Sequence, residues 1–279
     1  MGSIIATGCN TKYYKHLKTL IASVFKYDNG IINNIHIYDI GLSKKEIKEL
    51  SCIKRVIVFR LPNELYEKYP HFKNPKNFAW KTYIIKNEVL LQNNFLYIDS
   101  GACFIANFKE IFDIIQSKDI FLVQDVNQTN IKWCHETSLQ LLNASATECN
   151  SFQLWAGLQG YKKNSKYAFI AHEAFQLAQN KNCIEGDVKS HRHDQCIYSI
   201  LTTRYNCPTQ DLYRFGEWRG AKMRSDQIIY VHRGAYSLFL KPAYYLTLQS
   251  FVKYEFLNCV YSKYNHLFNF LSFQFKKFT

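Results

Sequence analysis

Short apolar runs alternate with segments of helical periodicity over the first hundred residues. Four runs are rich in β-branched and aromatic residues, as expected for buried strands: 3–8, 35–39, 56–60 and 95–99. The intervening segments 13–25, 43–50 and 79–91 have apolar residues at three- and four-residue spacing, which predicts helices that bury one face. Ser43 and Glu46 have the spacing of a capping box at the start of the second helix. The order βαβαβαβ predicts an α/β fold with a mainly parallel central sheet and helices on both faces.

Polar or small residues end each of the four predicted strands. Thr7 and Gly8 end the first, Asp39 the second, Arg60 the third and Asp99 the fourth. Because the carboxyl ends of parallel strands lie at one edge of a sheet, we expect these residues to form part of a ligand site. A second interpretation stays open for Asp99, since an aspartate after a strand also starts turns.

The rest of the chain continues the α/β pattern and then changes character. Helices are predicted over 109–117 and 166–180, and strands over 120–124 and 228–234. The last of these strands ends in polar residues, and His232 is expected to project from its terminus. The segment 152–161 alternates apolar and polar residues before two glycines, which predicts a strand beside a cavity. Asp194 falls in the first turn of a further helix, where a carboxylate is stabilised. We expect one catalytic domain over 1–243 and an aromatic, basic, amphipathic helical tail over 244–279. The tail suits packing on the domain, docking on a membrane surface or contact with a partner.

Composition and charge restrict the classes of function. The formal net charge of +13 favours anionic partners, although a role in solubility alone remains open. The basic residues form no clustered stripe, so nucleic-acid binding is not expected. No glycine-rich phosphate loop occurs, which excludes the ordinary dinucleotide-binding and P-loop proteins. Nine scattered cysteines without a Cys-x-x-Cys pair favour reduced thiols. No apolar run reaches the length of a membrane span. We therefore expect a cytoplasmic protein, with peripheral attachment to the inner face of the membrane as an alternative.

Five segments resemble the nucleotide-sugar transferases of the GT-A fold, most nearly the family 8-like glycosyltransferases. They span residues 4 to about 235 and are Ile5-Ala6-Thr7-Gly8, Ile37-Tyr38-Asp39-Ile40-Gly41-Leu42, Ala79-Trp80-Lys81-Thr82-Tyr83-Ile84-Ile85, Leu96-Tyr97-Ile98-Asp99-Ser100-Gly101 and His193-Asp194-Gln195. The resemblance implies transfer of a hexose from a nucleotide-diphosphate sugar, a UDP-sugar being favoured, to a glycan or lipid-linked saccharide. Synthesis of a cell-surface polysaccharide or lipooligosaccharide is the expected setting.

The resemblance also implies roles for individual residues. Donor contacts are expected from Thr7, Gly8, Asp39, Lys81, Asp99, Gly101, Gly157, Gln195 and Arg233. Asp99 and His232 correspond to ligands of a divalent metal, Mn²⁺ or Mg²⁺. Asp194 and Asp99 are the candidate catalytic residues. For Asp194 two roles stay open: a base for the acceptor hydroxyl in an inverting reaction, or a sugar contact in a retaining one.

One position departs from the family pattern. The motif here is Asp99-Ser100-Gly101, so glycine stands where the family has a second metal-binding aspartate. Weaker metal binding, recruitment of Asp39 or Asp125, and neutralisation of the phosphates by Lys81, Arg192 and Arg233 all remain open. Alternatives to a glycosyltransferase are a nucleotidyltransferase or sugar-phosphate enzyme, and a non-catalytic protein that binds sugar nucleotides or nucleic acid.

Overall fold

A seven-stranded sheet forms the centre of the molecule. The computed structural model describes residues 2–91, 94–187, 189–216 and 225–231. The strands of the chain are β1 (Ser3–Cys9), β2 (Ile32–Asp39), β3 (Val56–Arg60), β4 (Asn94–Ile98), β5 (Ala102–Phe104), β6 (Ile120–Thr129), β7 (Phe152–Tyr161), β8 (Gln210–Asp211) and β9 (Ile229–Val231). The central sheet has the order β3-β2-β1-β4-β7-β6-β8. All neighbouring pairs are parallel except those made by β7, which runs antiparallel between β4 and β6.

Helices cover both faces of this sheet. They are α1 (Tyr14–Tyr27), α2 (Lys44–Leu50), α3 (Asn63–Lys68), α4 (Ala79–Leu90), α5 (Lys109–Lys118), α6 (Asn130–Trp133), α7 (Glu136–Leu141), α8 (Ala146–Asn150), α9 (Ala168–Ala178), α10 (Lys181–Ile184), α11 (Asp194–Arg204) and α12 (Leu212–Phe215). The capping box predicted at the start of α2 is present, with Ser43 and Glu46 each accepting from the other's backbone N–H. The α/β fold with a mainly parallel sheet is therefore confirmed.

Side-chain alternation along the strands divides the core into two layers. Leu96 and Ile98 of β4 belong to the layer that also contains α1 and α5. Phe95 and Tyr97 belong to the opposite layer, with α4, α9 and α11. Successive strand residues point to opposite faces of a sheet. Asp99, two positions beyond Tyr97, is thereby aimed at the face that α4 and α11 cover.

The predicted strand near the end of the domain lies outside the central sheet. Ile229–Val231 (β9) pairs antiparallel with Ala102–Phe104 (β5) in a separate two-stranded sheet. Phe104 N–H in turn donates to Ser23 Oγ of α1, at 3.0 Å, so this small sheet is fastened to the first helix. The chain that follows Asp99 is therefore held over the α1 layer.

The expectation of reduced thiols is wrong for two of the nine cysteines. Cys134 and Cys196 form a disulfide across 62 positions of sequence, with Cα atoms 5.5 Å apart. Spacing alone could not indicate this pair, because the two residues meet only when α11 packs against the segment after α6. Within the described ranges, no helix is long and apolar enough to cross a bilayer. The predicted tail over 244–279 and its membrane contact lie outside the described residues.

Candidate functional site

Asp99 occupies the rim of the sheet at the end of β4, as the sequence predicts. Its backbone N–H donates to the Gly157 carbonyl at 2.8 Å, which ties the strand end to β7. Tyr97 Oη donates to Asp99 Oδ1 at 3.1 Å. The two side chains meet because residues two apart on a strand share a face. Strand geometry therefore determines the direction of the Asp99 carboxylate.

Lys81 lies between two carboxylates at this rim. Its Nζ is 3.1 Å from Asp99 Oδ1 and 3.2 Å from Asp194 Oδ2. Lys81 is in the first turn of α4 and Asp194 is the first residue of α11. A cation is unfavourable at a helix amino terminus, whereas an anion is favourable there. The two acids offset this cost for Lys81, and the three side chains, here termed the Lys81 triad, carry a formal charge of −1.

Burial distinguishes the members of the triad. The side chains of Lys81 and Asp194 are each 3% exposed, whereas that of Asp99 is 20% exposed. Burial raises the pKa of Asp194 above its ordinary value, and the Lys81 charge opposes this change. Burial, with the neighbouring Asp99 charge, raises the pKa of Tyr97 well above its ordinary range, so Tyr97 remains a neutral donor. Of the triad, Asp99 is the member that meets solvent.

Two adjoining cavities open beside the triad. The smaller, of about 100 Å³, is lined by Asp99 together with Gly8, Cys9, Asn10, Tyr13, Ile40, Pro75, Phe78, Trp80, Ser100 and Gly101. The larger, of about 810 Å³, shares Asn10, Tyr13, Pro75 and Phe78 with it and extends to Lys12, Asn74, Lys76, Asn77, Glu185, Gly186, Asp187 and His193. The shared residues make the two cavities one cleft, with aromatic and polar walls and Asp99 at its inner end.

Two predicted glycines permit close approaches at this cleft. A Cβ on Gly157 would lie 2.5 Å from Asp99 Oδ2 and 2.5 Å from Trp155 Nε1. A Cβ on Gly8 would lie 2.3 Å from the Trp80 ring. Real Cβ atoms do not come so near to other heavy atoms, so both positions need glycine for packing. The absence of a side chain at Gly157 thus leaves room for the Asp99 carboxylate.

Asp39 and Thr7 are at the predicted edge but outside the described lining of the cleft. Asp39 Oδ1 accepts the backbone N–H groups of Gly41 and Leu42, at 2.9 and 2.7 Å, and so shapes the turn after β2. Thr7 is fully buried, and its hydroxyl has no partner within the described residues. Neither observation tests their predicted donor contacts, which remain predictions.

The turn after β2 is fastened to the loop after β1. Ile40 N–H donates to the Cys9 carbonyl and Thr11 N–H to the Gly41 carbonyl, both at 3.0 Å. Thr11 Oγ1 also donates to Glu46 Oε2 at 2.7 Å, which joins the loop to the capping box of α2. We call these bonds the β1–β2 latch.

Gln195 and Arg192 make contacts away from the triad. Gln195 Nε2 donates to Gln153 Oε1 at 2.9 Å. The Arg192 guanidinium carbon lies 3.8 Å above the Trp133 ring centroid. His193, between them, lines the larger cavity and donates from Nδ1 to the Ile184 carbonyl at 3.0 Å. The predicted sugar contact of Gln195 therefore remains a prediction.

His232 and Arg233 lie outside the described residues, so their predicted roles as metal ligand and donor contact remain predictions. Throughout the part of the chain that the structure describes, no group of three or more His, Cys, Asp and Glu side chains is placed to hold a metal ion. Asp125, considered as a substitute ligand, is buried and accepts from Asn127 N–H at 3.0 Å.

Sequence reasoning did not assign functional roles to Tyr97, Phe78, Trp80 and His193. Tyr97 was detectable, because it precedes Asp99 by two positions on a predicted strand. The role of Phe78 could not be inferred from sequence, because the position of its ring depends on a left-handed backbone conformation, with φ 59°, at the start of α4. The ring centroid of Phe78 lies 5.1 Å from Lys81 Nζ, an arrangement that favours the charged lysine.

Neither a protein-family model nor a curated protein sequence matches this chain. Solved structures do match. A galactosyltransferase, LgtC, in complex with donor and acceptor sugar analogues has a TM-score of 0.57 at 12% identity, covering 88% of this chain and 95% of that one. Mouse xyloside xylosyltransferase 1, in its apo form, has a TM-score of 0.50 at 12% identity, covering 82% and 97%. Core-mannan synthase A (CmsA/Ktr4) from Aspergillus fumigatus, in its Mn/GDP form, has a TM-score of 0.51 at 8% identity, covering 76% and 73%. These likenesses show that the chain has the GT-A fold.

Proposed function

We propose that this GT-A chain is a glycosyltransferase that moves a sugar from a nucleotide-diphosphate donor to a saccharide acceptor. The observation that carries the proposal is the Lys81 triad at the inner end of the cleft. Its position at the carboxyl ends of parallel strands is where α/β sheets bind ligands. The neighbours with this fold are named as a galactosyltransferase, a xyloside xylosyltransferase and a core-mannan synthase. We further propose a hexose donor, with a UDP-sugar favoured, and a glycan or lipid-linked acceptor.

Charge neutralisation is the chemical demand that Lys81 would meet together with a divalent cation held at Asp99. Loss of a nucleoside diphosphate develops negative charge on the leaving oxygen, and a fixed cation in a water-poor site stabilises that charge. Lys81 supplies a cation whose position is set from two sides. We assign Asp194 as the residue that positions Lys81, since it is 3% exposed and faces the ammonium. This assignment favours the non-basic role for Asp194, so the proton of the acceptor hydroxyl passes to the departing diphosphate or to another residue.

A divalent cation fits Asp99 more readily than Asp194. Asp99 is the acidic side chain in the described lining of the smaller cavity, and a carboxylate oxygen suits Mn²⁺ or Mg²⁺. We propose that Asp99 and the donor phosphates hold the ion, with His232 as a predicted further ligand. When bound, the ion would neutralise the departing diphosphate. Gly101 adds no carboxylate, so the protein's share of the ligands is small.

A thermal-shift experiment tests the proposal. The protein is heated with UDP-, GDP-, ADP- and dTDP-linked sugars, each with and without MnCl₂. We expect stabilisation by at least one donor, because a ligand that binds the folded state raises the melting temperature. We expect a larger rise with Mn²⁺ in the wild type but not in Asp99→Asn. Asp113→Asn is the matched control, because it removes a carboxylate that pairs with Lys109 at an exposed site on α5. If no donor stabilises the protein, the proposal fails.

A further inference from the structure

A second concave surface lies at the far end of α11 from the triad. It is a groove of about 700 Å³ formed where α8, the start of β7 and the end of α11 meet. Its lining residues are Gln124, Ala146, Thr147, Asn150, Ser151, Phe152, Thr202, Thr203, Asn206, Cys207 and Thr209. We call it the α8–α11 groove. None of its described lining residues belongs to either cavity of the cleft.

The chemical character of this groove is unusual for a chain of net charge +13. Its described lining contains no Lys, Arg, Asp or Glu, and eight of its eleven residues are uncharged and polar. Arg204, the nearest basic residue in sequence, pairs with Glu148 at 2.8 Å and approaches Glu173 at 3.9 Å. The Arg204 side chain beside the groove is thus already paired with acidic side chains. The described lining therefore offers no cationic side chain to pair with a phosphate group.

Two further features match a ligand with both hydroxyl groups and apolar faces. Phe152 is 40% exposed and presents an aromatic surface. Thr202 is 5% exposed, and its buried hydroxyl has no hydrogen-bond partner within the described structure. Amides and hydroxyls beside an aromatic side chain suit a sugar ring, which has polar edges and C–H faces.

We propose that the α8–α11 groove binds a neutral saccharide. The groove and the triad are linked by α11, with Asp194 at one end and Thr203 nine residues later. A helix rises 1.5 Å per residue, so the two sites are separated by about 13 Å along its axis. An oligosaccharide held in the groove can therefore extend toward the cleft. The identification of the bound saccharide as the acceptor rests on the proposed function. The existence of a saccharide-binding site in the groove does not depend on it.

Saturation-transfer NMR without any donor tests the binding site. The probes are linear hexasaccharides of glucose, mannose and galactose, with a hyaluronan hexasaccharide as the acidic comparison. Phe152→Ala removes the aromatic surface, and Thr147→Glu places a charge on the exposed rim of α8. The matched controls are Phe169→Ala, a similarly exposed aromatic, and Thr137→Glu, which is the second residue of α7 as Thr147 is of α8. Neither control residue is among the groove's described lining residues.

We expect at least one neutral hexasaccharide to bind and the acidic one not to. Phe152→Ala should weaken binding roughly three- to tenfold, the size of a lost aromatic contact. Thr147→Glu should also weaken binding, because it places a charged side chain at the groove. The controls should bind as the wild type does. The inference is overturned if no neutral probe binds, if the groove variants leave binding unchanged, or if the acidic probe binds equally well. Thermal shifts with nucleotide sugars on the same variants separate the two proposals. If a nucleotide sugar binds and no saccharide does, only the proposed groove site is disproved. If a saccharide binds and no nucleotide sugar does, only the proposed transferase function is disproved.

Discussion

Lys81 shows how one side chain comes to depend on two others. An isolated charge buried to this degree is very costly, and the two flanking carboxylates offset the cost only while all three remain. The two Lys81–carboxylate distances, 3.1 and 3.2 Å, are within the range of N–H···O hydrogen bonds. Removing the cation leaves two neighbouring carboxylates with like charges. A change at Lys81 is therefore expected to alter both the stability of the fold and the binding of a ligand in the cleft.

We expect Lys81→Met to lower the free energy of unfolding by about 3–5 kcal/mol, as for other broken buried ion pairs. Adding Asp194→Asn to that variant should restore part of the loss, because it removes one of the unpaired charges. Urea unfolding measures both effects. Lys109→Met is the control: its Nζ lies 2.6 Å from Asp113 at an exposed site, and its loss should cost less than about 1 kcal/mol. Equal losses for Lys81→Met and Lys109→Met would contradict the role of the triad.

Gly157 allows a second prediction at this scale. Gly157→Ala should displace the Asp99 carboxylate, because the new Cβ would lie 2.5 Å from Asp99 Oδ2. We expect it to abolish the thermal shift that a nucleotide sugar produces. Gly160→Ala lies on the same strand and meets the core side chain of Ile115 at 2.4 Å. It should lower stability in the absence of ligand yet keep the donor-induced shift. A retained shift in Gly157→Ala would show that Asp99 does not contact the donor.

At the scale of elements, the site is built from helix starts and strand ends. The helical period of 79–91 predicts α4, and the run 95–99 predicts β4 to within one residue, so Lys81 and Asp99 are placed correctly from sequence. Asp194 is likewise expected in a first helical turn and found there. The contact of Gln195 with Gln153 could not be foreseen, because it depends on β7, which runs antiparallel between β4 and β6, lying beside α11. Local periodicity determines where an element begins, whereas long-range pairing determines what its residues touch.

The loop before α11 gives a prediction about pH. His191 accepts the His135 N–H at Nδ1 and donates from Nε2 to the Ile184 carbonyl, so its neutral form is built into the fold. Burial, with His193 and His135 nearby, lowers its pKa to about 4. The unfolded chain takes up a proton near pH 6.5, whereas the folded chain does so only near pH 4. The free energy of unfolding should therefore fall by about 3 kcal/mol as pH decreases through this interval.

Urea unfolding at a series of pH values between 7 and 4 measures this effect. His191→Gln removes the titrating ring and should flatten the dependence on pH. His172→Gln, on α9, should leave the dependence as it is in the wild type. A wild-type protein whose stability is constant from pH 6.5 to 4 would disprove the neutral, buried state of His191.

At the scale of the whole molecule, the mainly parallel sheet and its two layers follow from patterns that the sequence displays, whereas the strand order and one covalent link do not. The two layers arise because β4 is buried at every position and so is covered on both sides. The Cys134–Cys196 disulfide joins α11 to the segment between α6 and α7. No local feature distinguishes these two cysteines from the other seven, since pairing depends on the folded distance.

The disulfide predicts a dependence of overall stability on redox state. Closing a loop of 62 positions lowers the entropy of the unfolded chain, which corresponds to about 4 kcal/mol of stability. Urea unfolding with dithiothreitol should therefore give a lower free energy of unfolding than urea unfolding without it. The variant Cys134→Ala/Cys196→Ala should give one value in both conditions. If the reductant lowers the stability of the double variant as much as that of the wild type, the change in stability is due to other cysteines.

The β1–β2 latch has a consequence for recognition. Loops that are mobile in a free protein lose conformational entropy when a ligand orders them, and this loss lowers the affinity for the ligand. Asn10 and Ile40, which line the smaller cavity, belong to loops that are already bonded to each other and, through Thr11, to the cap of α2. This wall of the cleft is preorganised. A ligand that enters against it meets a surface whose ordering was completed when the protein folded, so its affinity would reflect contact more than the cost of loop closure.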